Sequence, residues 1–416
     1  MREQTAPIVV VGAGIVGVAT ALYLQRDGLD VTLIDRGAPG DGTSYGNAGV
    51  LASNSIVPVN APGLWRKAPG MLRDPDGPLS LRWSYLPRLA PWLARYLRNC
   101  RPDRVEKTAS ALAGIVSDSL EEHQALARGT AAEAWIAPSD YVFLYTGRDA
   151  YDGDAYGWGL RKAHGYTWDE LDGDALGAYD PQLGKLGTFA VRCPDHGHIK
   201  DPGRYVKDLA RHFEQGSGHV LRATVDDVII ENGAVTGVVA DGQRIACCKL
   251  VVTAGAWSGP LAAKLGLKVP LESERGYHLE FFAPSWMPRA PTMIASGKFV
   301  ITPMDGRLRA AGLVEFGGLD APAQQKTSEK LLRLVRRALP NLTFSTHTSW
   351  MGHRPAPADS VPLIGAAPSV SGAFVGFGHH HIGLTAGPRT GRLLAGLISG
   401  RRPNFDLAPY DPGRFS

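Results

Sequence analysis

The chain has 416 residues, of which 44% are hydrophobic and 20% charged, so it carries enough apolar surface for a sizeable core. Its 44 Lys and Arg residues against 40 Asp and Glu residues give a formal net charge of only +4, without a long basic run that could follow a phosphate backbone. This composition excludes a disordered chain and a single small module, and it argues against binding to nucleic acid.

The four cysteines are irregularly spaced and form no C-x-x-C pair, which argues against a disulfide framework and against structural zinc. The best apolar run near the N-terminus, residues 8–18, is interrupted by three glycines and is too short to span a bilayer. The chain does not begin with the charged, apolar and small-residue segments of a secretory signal. We therefore expect a cytoplasmic protein that does not span a membrane.

The strongest pattern in the sequence is a strand, turn, helix and second strand at the N-terminus. The β-branched run Ile8–Val11 is typical of a strand buried on both faces, and Gly12-Ala13-Gly14-Ile15-Val16-Gly17 follows it directly. Residues 18–26 predict a helix, and residues 31–34 predict a second strand that ends at Asp35. In this context G-x-G-x-x-G is the dinucleotide-binding fingerprint, whose glycines allow a tight turn, approach of a pyrophosphate, and packing of helix on strand.

The same unit indicates how a dinucleotide would be held. Its diphosphate would lie at the helix N-terminus, where backbone N–H groups are free. Asp35, 18 residues after Gly17, could accept hydrogen bonds from the adenosine ribose, which favours FAD or NAD over NADP. The fingerprint alone does not separate FAD from NAD, but its position about ten residues from the start of the chain favours a flavoprotein.

The remaining predicted elements are a mixture of helices and strands. Apolar spacing predicts helices at residues 102–128, 202–215 and 327–339. Strand patterns occupy residues 250–252, 270–282, 298–303 and 307–314, and residues 223–239 predict a hairpin around the turn dipeptide Asn232-Gly233. Residues 65–92 are instead rich in proline, tryptophan and arginine.

Segments of small residues and glycines accompany the fingerprint along the chain. They are Gly42–Gly49 (GTSYGNAG), Leu250–Ser258 (LVVTAGAWS), Trp350–Pro355 (WMGHRP) with Asp359–Gly365 (DSVPLIG), and Gly376–Thr385 (GFGHHHIGLT). Through these motifs the chain resembles, over essentially its whole length, the D-amino-acid oxidase and dehydrogenase family of FAD-dependent amine oxidoreductases. Asn47-Ala48-Gly49, Ala61-Pro62-Gly63 and the run Arg95–Cys100 are most similar to the bacterial D-amino acid dehydrogenases of the small-subunit type.

The resemblance implies an α/β fold with two parts. One is a Rossmann-type FAD-binding domain, discontinuous in sequence and expected at residues 1–66, 190–258 and 346–416. The other is an α+β substrate-binding or cap domain built on an antiparallel sheet that roofs the flavin, expected at residues 67–189 and 259–345.

Three residues are candidates for handling an amino acid substrate. Oxidation at Cα requires the carboxylate to be fixed while the Cα–H faces the flavin, and the planar fork of arginine suits a carboxylate. Arg354 matches the family position that pairs with the substrate carboxylate. Arg275 could form a second clamp, and Tyr277 could direct its hydroxyl at the substrate, although an aromatic residue on a sheet more often packs.

The cofactor is expected to be noncovalent FAD, because residues 250–416, where the sarcosine oxidase relatives carry the flavin-binding thiolate, contain no cysteine. The resemblance and the fingerprint together place FAD contacts at Gly12, Gly14, Ile15, Val16, Gly17, Asp35, Arg36, Thr43, Ser44, Asn47, Ala48, Gly49, Val225, Ala254, Gly255, Trp257, Arg354, Gly378, His379, His381, Ile382, Gly383, Leu384 and Thr385. A metal site at the consecutive histidines 379–381 is not expected, because adjacent side chains do not converge on one ion. His380 is expected to be solvent-facing or structural.

The resemblance implies oxidative deamination of D-amino acids, with D-proline and 4-hydroxy-D-proline among the possible substrates. Hydride transfer from Cα to flavin N5 would give an imino acid and then a 2-oxo acid, with a quinone or respiratory-chain electron acceptor. Two alternatives stay open: an oxygen-dependent oxidase of glycine- or sarcosine-like amines, and an electron-transfer flavoprotein subunit. The Trp- and Arg-rich residues 65–97 predict either a lid over the site or a peripheral contact with the inner membrane.

Overall fold

The computed structural model describes residues 6–74 and 76–416. In this part of the chain the strands, numbered β1 to β19 in chain order, are Ile8–Val11, Val31–Asp35, Val50–Leu51, Leu79–Leu81, Ile136–Tyr145, Asp169–Asp172, Phe189–Ile199, His219–Arg222, Val225–Glu231, Ala234–Ala240, Gln243–Ala246, Lys249–Val252, Leu271–Phe282, Thr292–Ile294, Phe299–Met304, Arg307–Phe316, Thr346–Pro357, Leu363–Ala366 and Ala373–Phe377. The α-helices, numbered α1 to α12, are Ile15–Arg26, Leu64–Arg73, Leu86–Arg98, Pro102–Val116, Ser119–Ala127, Arg148–Asp152, Ala155–Ala163, Gly173–Tyr179, Pro202–Gln215, Ser258–Lys264, Gln325–Ala338 and Gly383–Ile398.

Six strands form a largely parallel sheet in the order β18-β19-β12-β1-β2-β8. β1 lies between β2 and β12 and is parallel to both, whereas β18, at one edge, runs antiparallel to β19. α1 connects β1 to β2, so the β-α-β unit predicted from the fingerprint is confirmed. The helix begins at Ile15, earlier than predicted, because the last residues of the fingerprint already form its first turn.

The side chains of β1 alternate between two apolar clusters, which explains its continuous β-branched sequence. Ile8 and Val10 pack with residues of α1, α9 and α12 on one face of the sheet. Val9 and Val11 pack on the other face with α10 and with a three-stranded antiparallel sheet ordered β11-β10-β9. Burial of both faces fixes this sheet at the centre of the nucleotide-binding part.

A second sheet of ten strands is mostly antiparallel. Its main path runs β17-β13-β16-β15-β14-β5-β7-β3, with β4 paired to β16 and β6 paired to β7. The twelve-residue β13 pairs along its length with β17 on one side and with β16 on the other. The predicted class, a Rossmann-type α/β part with an α+β part on an antiparallel sheet, is therefore confirmed.

Contacts in the structure cross the predicted domain ranges at several elements. β7 and β17 lie in ranges predicted for the FAD-binding domain, yet both pair within the ten-stranded sheet. α4 and α5 lie in a range predicted for the cap, yet their apolar faces join the cluster beside α1 and α12. β3, from the range predicted for the FAD-binding domain, also pairs with β7, and α10, mostly from a cap range, packs beside β1. The two-domain ranges stay a prediction, and sequence order and contacts disagree at these elements.

The local predictions differ in how well they match. Residues 102–128 form two helices, α4 and α5, because the backbone of Asp118 (φ −106°, ψ 35°) leaves the helical region. The helix predicted at 202–215 is α9, and the hairpin at Asn232-Gly233 is confirmed, with both turn residues at positive φ (52° and 77°). Among the described residues, no helix combines the length and the apolar character needed to cross a bilayer.

Candidate active site

A cavity of about 960 Å³ lies where the carboxyl ends of β1, β2 and β12 meet the ten-stranded sheet. Most of the predicted site residues line it: Gly12, Gly14, Ile15, Val16, Asp35, Arg36, Thr43, Ser44, Asn47, Ala48, Val225, Ala254, Gly255, Trp257, Tyr277, Arg354, His379, His381, Ile382, Gly383, Leu384 and Thr385. The predicted residues outside the lining are Gly17, Gly49, Gly378 and Arg275. The structure thus brings both ends and the middle of the sequence to one place, at the strand edge where open α/β sheets bind ligands.

The fingerprint turn has the geometry that its glycines predict. Gly12 has φ 107°, a conformation that L side chains rarely adopt. A Cβ atom on Gly17 would lie 1.7 Å from the Gly12 carbonyl oxygen, so Gly17 serves the packing of α1 on the turn although it lies outside the lining. The Thr253 hydroxyl donates to the Val11 carbonyl at 2.8 Å and ties the end of β12 to the same turn. The sequence analysis did not select Thr253.

Asp35 and Ser44 bind the backbone around the fingerprint. Asp35 Oδ2 accepts the Ala13 N–H at 2.6 Å, and Oδ1 accepts the Gly37 N–H at 2.8 Å. Ser44 Oγ accepts the Ile15 N–H at 3.0 Å, which places a hydroxyl at the N-terminus of α1, where anions are favoured. Asp35 therefore has a structural role in the turn, in addition to the ribose contact proposed for it.

A buried arginine that the sequence analysis missed holds the 43–49 loop. Arg309 Nη1 donates to the carbonyls of Tyr45 at 2.8 Å and Asn47 at 2.5 Å. Its Nη2 donates to Glu280 at 2.6 Å, and Arg307 binds the same carboxylate. The alternation of Arg307 and Arg309 along one strand was a signal in the sequence, but nothing there indicated which loop they contact.

Arg36, Trp257 and His353 form a stack at the nucleotide end of the cavity. The Arg36 guanidinium lies 4.1 Å from the Trp257 ring centroid, and Trp257 meets His353 edge-on at 5.0 Å. Burial, with Arg275 and Arg36 nearby, lowers the pKa of His353 to about 4, so its ring is neutral at pH 7. Arg36, Trp257 and Val225 line the cavity, and a guanidinium beside an indole and an aliphatic side chain suits a purine ring.

Arg354 reaches the cavity from β17 and is held there by Glu274, the residue opposite it on β13. Arg354 Nη1 donates to Glu274 Oε1 at 2.9 Å and to the Leu313 carbonyl at 3.1 Å. His380 Nε2 binds the other carboxylate oxygen of Glu274. Burial opposes the charge of Glu274, but His380 and Arg354 outweigh it and lower its pKa to about 2. Within the described residues, Arg354 Nε and Nη2 make no hydrogen bond, so they are free to bind a ligand.

The expected roles of Arg275 and Tyr277 need correction. Arg275 is fully buried outside the cavity lining, where it pairs at 3.3 Å with Glu315, its cross-strand neighbour on β16. Tyr277 touches the cavity, but its hydroxyl donates to Glu315 and accepts the Gln324 N–H at 3.0 Å. Glu315 thus draws both side chains away from a substrate, because a buried carboxylate requires partners.

The three consecutive histidines have separate partners. His379 Nε2 lies 2.9 Å from the Thr390 hydroxyl, and burial lowers the pKa of His379 to about 4. His380 is 4% exposed and binds Glu274, so the solvent-facing alternative for His380 is wrong. Burial also lowers the pKa of His381, to about 3. Across the described residues no group of three or more His, Cys, Asp or Glu side chains is arranged to hold a metal ion.

The opposite end of the cavity is lined by residues that the sequence analysis did not select. Tyr141 and Phe143 of β5 and Arg161 of α7 lie there, with Met293 and Val300 from neighbouring strands. No motif marked these residues, because they come from segments that have no fixed spacing from the fingerprint. They give this end of the cavity a largely apolar lining with one buried arginine, and the exposed Lys298, next to Phe299 in the chain, lines the cavity as well.

The residues present fit FAD. The glycine turn and the N-terminus of α1 form an anion-binding edge. Among the described residues, Nδ1 of His380 and Nδ1 of His381 are buried without a hydrogen-bond partner, as expected where a bound group supplies one. The four cysteines, Cys100, Cys193, Cys247 and Cys248, lie outside the lining, which supports the prediction that the flavin is noncovalent.

A parallel sheet with this fingerprint at its carboxyl edge, covered by a second sheet, defines a dinucleotide-binding flavoprotein. The profile of the family DAO, FAD dependent oxidoreductase, matches residues 7–397. A D-amino-acid oxidase of Bradyrhizobium diazoefficiens is 40% identical over 415 residues, covering 98% of each chain.

Two solved structures share the fold. Glycine oxidase from Geobacillus kaustophilus has a TM-score of 0.74 at 21% identity, covering 98% of each chain. L-proline dehydrogenase from P. horikoshii has a TM-score of 0.74 at 18% identity, covering 99% of this chain and 98% of its own. The chain belongs to the DAO family of FAD-dependent oxidoreductases and is an FAD-dependent amino acid oxidoreductase.

Proposed function

We propose that the protein oxidises D-amino acids at Cα to the 2-imino acids, which water then converts to 2-oxo acids and ammonia. The observation that carries the proposal is Arg354, which lines the cavity with its Nη1 held by Glu274 while Nε and Nη2 make no hydrogen bond among the described residues. A carboxylate bound by this fork leaves the amine and Cα–H in a fixed orientation. The 40% identical D-amino-acid oxidase supports the choice of D-amino acids.

The chain's own residues supply orientation. Arg354 neutralises the substrate carboxylate, and strands β13, β16 and β17 contribute one wall of the cavity. When bound, FAD supplies the electron sink that takes the two electrons leaving Cα. D-proline and 4-hydroxy-D-proline belong to the substrate class that we propose, and glycine or sarcosine oxidation is the competing activity.

Anaerobic reduction of the bound flavin by a panel of amino acids tests the proposal. The panel contains D- and L-isomers of alanine, proline and glutamate, together with 4-hydroxy-D-proline, glycine and sarcosine. We expect flavin bleaching by D-isomers and little by L-isomers. Bleaching by glycine and sarcosine alone would replace this function with the amine oxidase. We also propose a quinone or respiratory-chain electron acceptor, and reoxidation of the reduced protein by a soluble quinone but not by oxygen is the expected result.

We further propose that the Trp- and Arg-rich segment around residues 65–97 contacts an anionic membrane, where quinones are found. Trp65 and Trp83 are 58% and 67% exposed, whereas large aromatic residues are usually mostly buried. Residues 51–101 contain seven arginines and one lysine against two aspartates and no glutamate. Exposed tryptophans within a basic segment suit the headgroup region of a bilayer.

Co-sedimentation with neutral and anionic vesicles tests this contact. The double variant Trp65→Ser, Trp83→Ser should lose binding to anionic vesicles, and Tyr156→Ser, which removes an exposed aromatic residue on α7, should not. A variant that binds vesicles normally but shows altered substrate saturation would favour the lid over the membrane contact.

A further inference from the structure

The guanidinium of Arg161 lies in the cavity without a carboxylate partner. Its Nε donates to the Asn54 carbonyl at 3.2 Å, and its Cζ lies 4.6 Å from the Trp158 ring centroid and 5.2 Å from that of Phe143. Within the described residues, Arg161 forms no salt bridge, its Nη atoms make no hydrogen bond, and the residue lines the cavity.

Among the described residues no carboxylate pairs with Arg161. Asp154 favours its charge only from a distance, because that carboxylate is held by the Tyr145 hydroxyl at 3.2 Å and by Lys298 at 4.0 Å. Burial raises the pKa of the Cys193 thiol to about 12 and raises that of Tyr141 further, so both are uncharged. Arginine itself stays protonated, even though burial lowers the pKa of Arg161. A confined cation without a counter-ion is unfavourable, and a bound anion relieves that cost.

The carboxylates that line the cavity are already committed or lie at its other end. Glu274 is bound by Arg354 and His380. Asp35 binds the fingerprint turn, and Asp41 is paired with Lys207 at 2.6 Å. The remaining one, Asp226, follows Val225 at the start of β9, in the nucleotide-binding part.

We propose that Arg161 binds a second carboxylate of the substrate, so that the preferred substrates are acidic D-amino acids such as D-glutamate. This inference rests on the proposed function, in which Arg354 holds the α-carboxylate. The apolar side chains of Phe143, Met293 and Val300 would contact the methylene groups between the two carboxylates. The free Nη groups of Arg161 provide the planar fork that a carboxylate matches.

Comparison of D-glutamate with D-glutamine tests the inference, because the two have the same shape and differ in side-chain charge. The measurement is anaerobic flavin reduction against substrate concentration for the wild type, Arg161→Met and Arg161→Lys. The wild type should saturate at lower D-glutamate than D-glutamine. Arg161→Met should raise the saturation constant for D-glutamate roughly ten- to a hundred-fold and change the saturation constant for D-glutamine less than about three-fold. Arg161→Lys should restore part of the difference.

Arg148→Gln is the matched control, because Arg148 also lies over aromatic rings, of Tyr151 and Phe189, but pairs with Glu170 outside the cavity. It should leave both constants unchanged. A binding readout independent of turnover is quenching of tryptophan fluorescence, since Trp158 stacks on Arg161. Glutarate should bind the wild-type holoenzyme more tightly than butyrate, and this comparison needs no variant.

The inference is overturned if the wild type does not distinguish D-glutamate from D-glutamine, or if D-proline saturates at lower concentration than D-glutamate. It is also overturned if Arg161→Met weakens both substrates equally, which would make Arg161 an anchor for the α-carboxylate. Failure of every D-amino acid to reduce the flavin would instead refute the proposed function.

Discussion

Arg354 owes its orientation to Glu274 and to the Leu313 carbonyl, both on other strands, and not to the motif that contains it. Removal of the guanidinium by Arg354→Met should raise the saturation constant for D-amino acids by about thirty-fold or more, because truncating one member of a desolvated charge pair costs about 2–5 kcal/mol. Arg354→Lys should recover part of the loss, because an ammonium lacks the planar fork. The measurement is stopped-flow flavin reduction. FAD content and dithionite reduction should stay normal in both variants, and equal constants in all three proteins would refute the carboxylate assignment.

Asp35 combines a contact within the turn with its proposed contact to the cofactor. Asp35→Ala should therefore weaken FAD binding about ten- to a hundred-fold, because a charge-assisted contact to the ribose is lost. It should also destabilise the turn, because the Ala13 and Gly37 N–H groups lose their acceptor. Titration of apoprotein with FAD gives the affinity, and thermal unfolding with and without FAD separates the two effects. An unchanged affinity would exclude the ribose contact.

At the scale of elements, His123 joins three helices that are distant in sequence. From α5, its Nδ1 lies 2.8 Å from the Tyr205 hydroxyl of α9, and its Nε2 lies 2.8 Å from the Leu384 carbonyl of α12. Burial lowers the pKa of His123 to about 4, with the Leu384 contact opposing part of the shift. His123 is thus protonated less readily in the native state than in the unfolded chain, where histidines titrate near pH 6.5.

The contribution of neutral, buried His123 to stability is therefore complete above pH 6.5. It is lost as the pH falls from 6.5 to 4, because the unfolded state then binds more protons than the native state. His123→Gln should be less stable than the wild type at pH 7.5. Between pH 7.5 and 5, however, its unfolding free energy should fall by about 2 kcal/mol less than that of the wild type. Urea unfolding at saturating FAD measures the free energy of unfolding at pH 7.5 and its change between pH 7.5 and 5. His219→Gln, at an exposed strand position, is the control. Equal pH dependence in His123→Gln and wild type would contradict the assignment.

For the molecule as a whole, we expect FAD to bind without a covalent bond in the cavity between the two large sheets. The purified protein should therefore be yellow and should release its FAD on heating or acid precipitation. The buried Cys100, Cys193 and Cys247 and the exposed Cys248 lie outside the lining, so no thiol is placed to bond the ring. Absorbance of the supernatant after precipitation measures the release. Flavin that stays with the precipitated chain would contradict noncovalent binding.

The sequence by itself determined the nucleotide-binding unit and the family motifs, because these depend on local rules. Glycines permit the turn around Gly12, a β-branched run forms a strand buried on both faces, and Asn232-Gly233 closes a hairpin. Each constraint acts within about 30 residues, so spacing along the chain was sufficient to place the Rossmann-type unit, and the family motifs selected most of the residues that line the cavity.

The tertiary structure alone decided how the long strands pair and which charged side chains meet. The register of β13 places Glu274 opposite Arg354 and Arg275 opposite Glu315, and a shift of one residue would have exchanged the buried and cavity-facing positions. Arg161 and Arg309 reach the cavity or its loops from elements with no fixed spacing from the fingerprint. Such pairings arise from burial and charge compensation between segments far apart in the chain, and no local pattern encodes them.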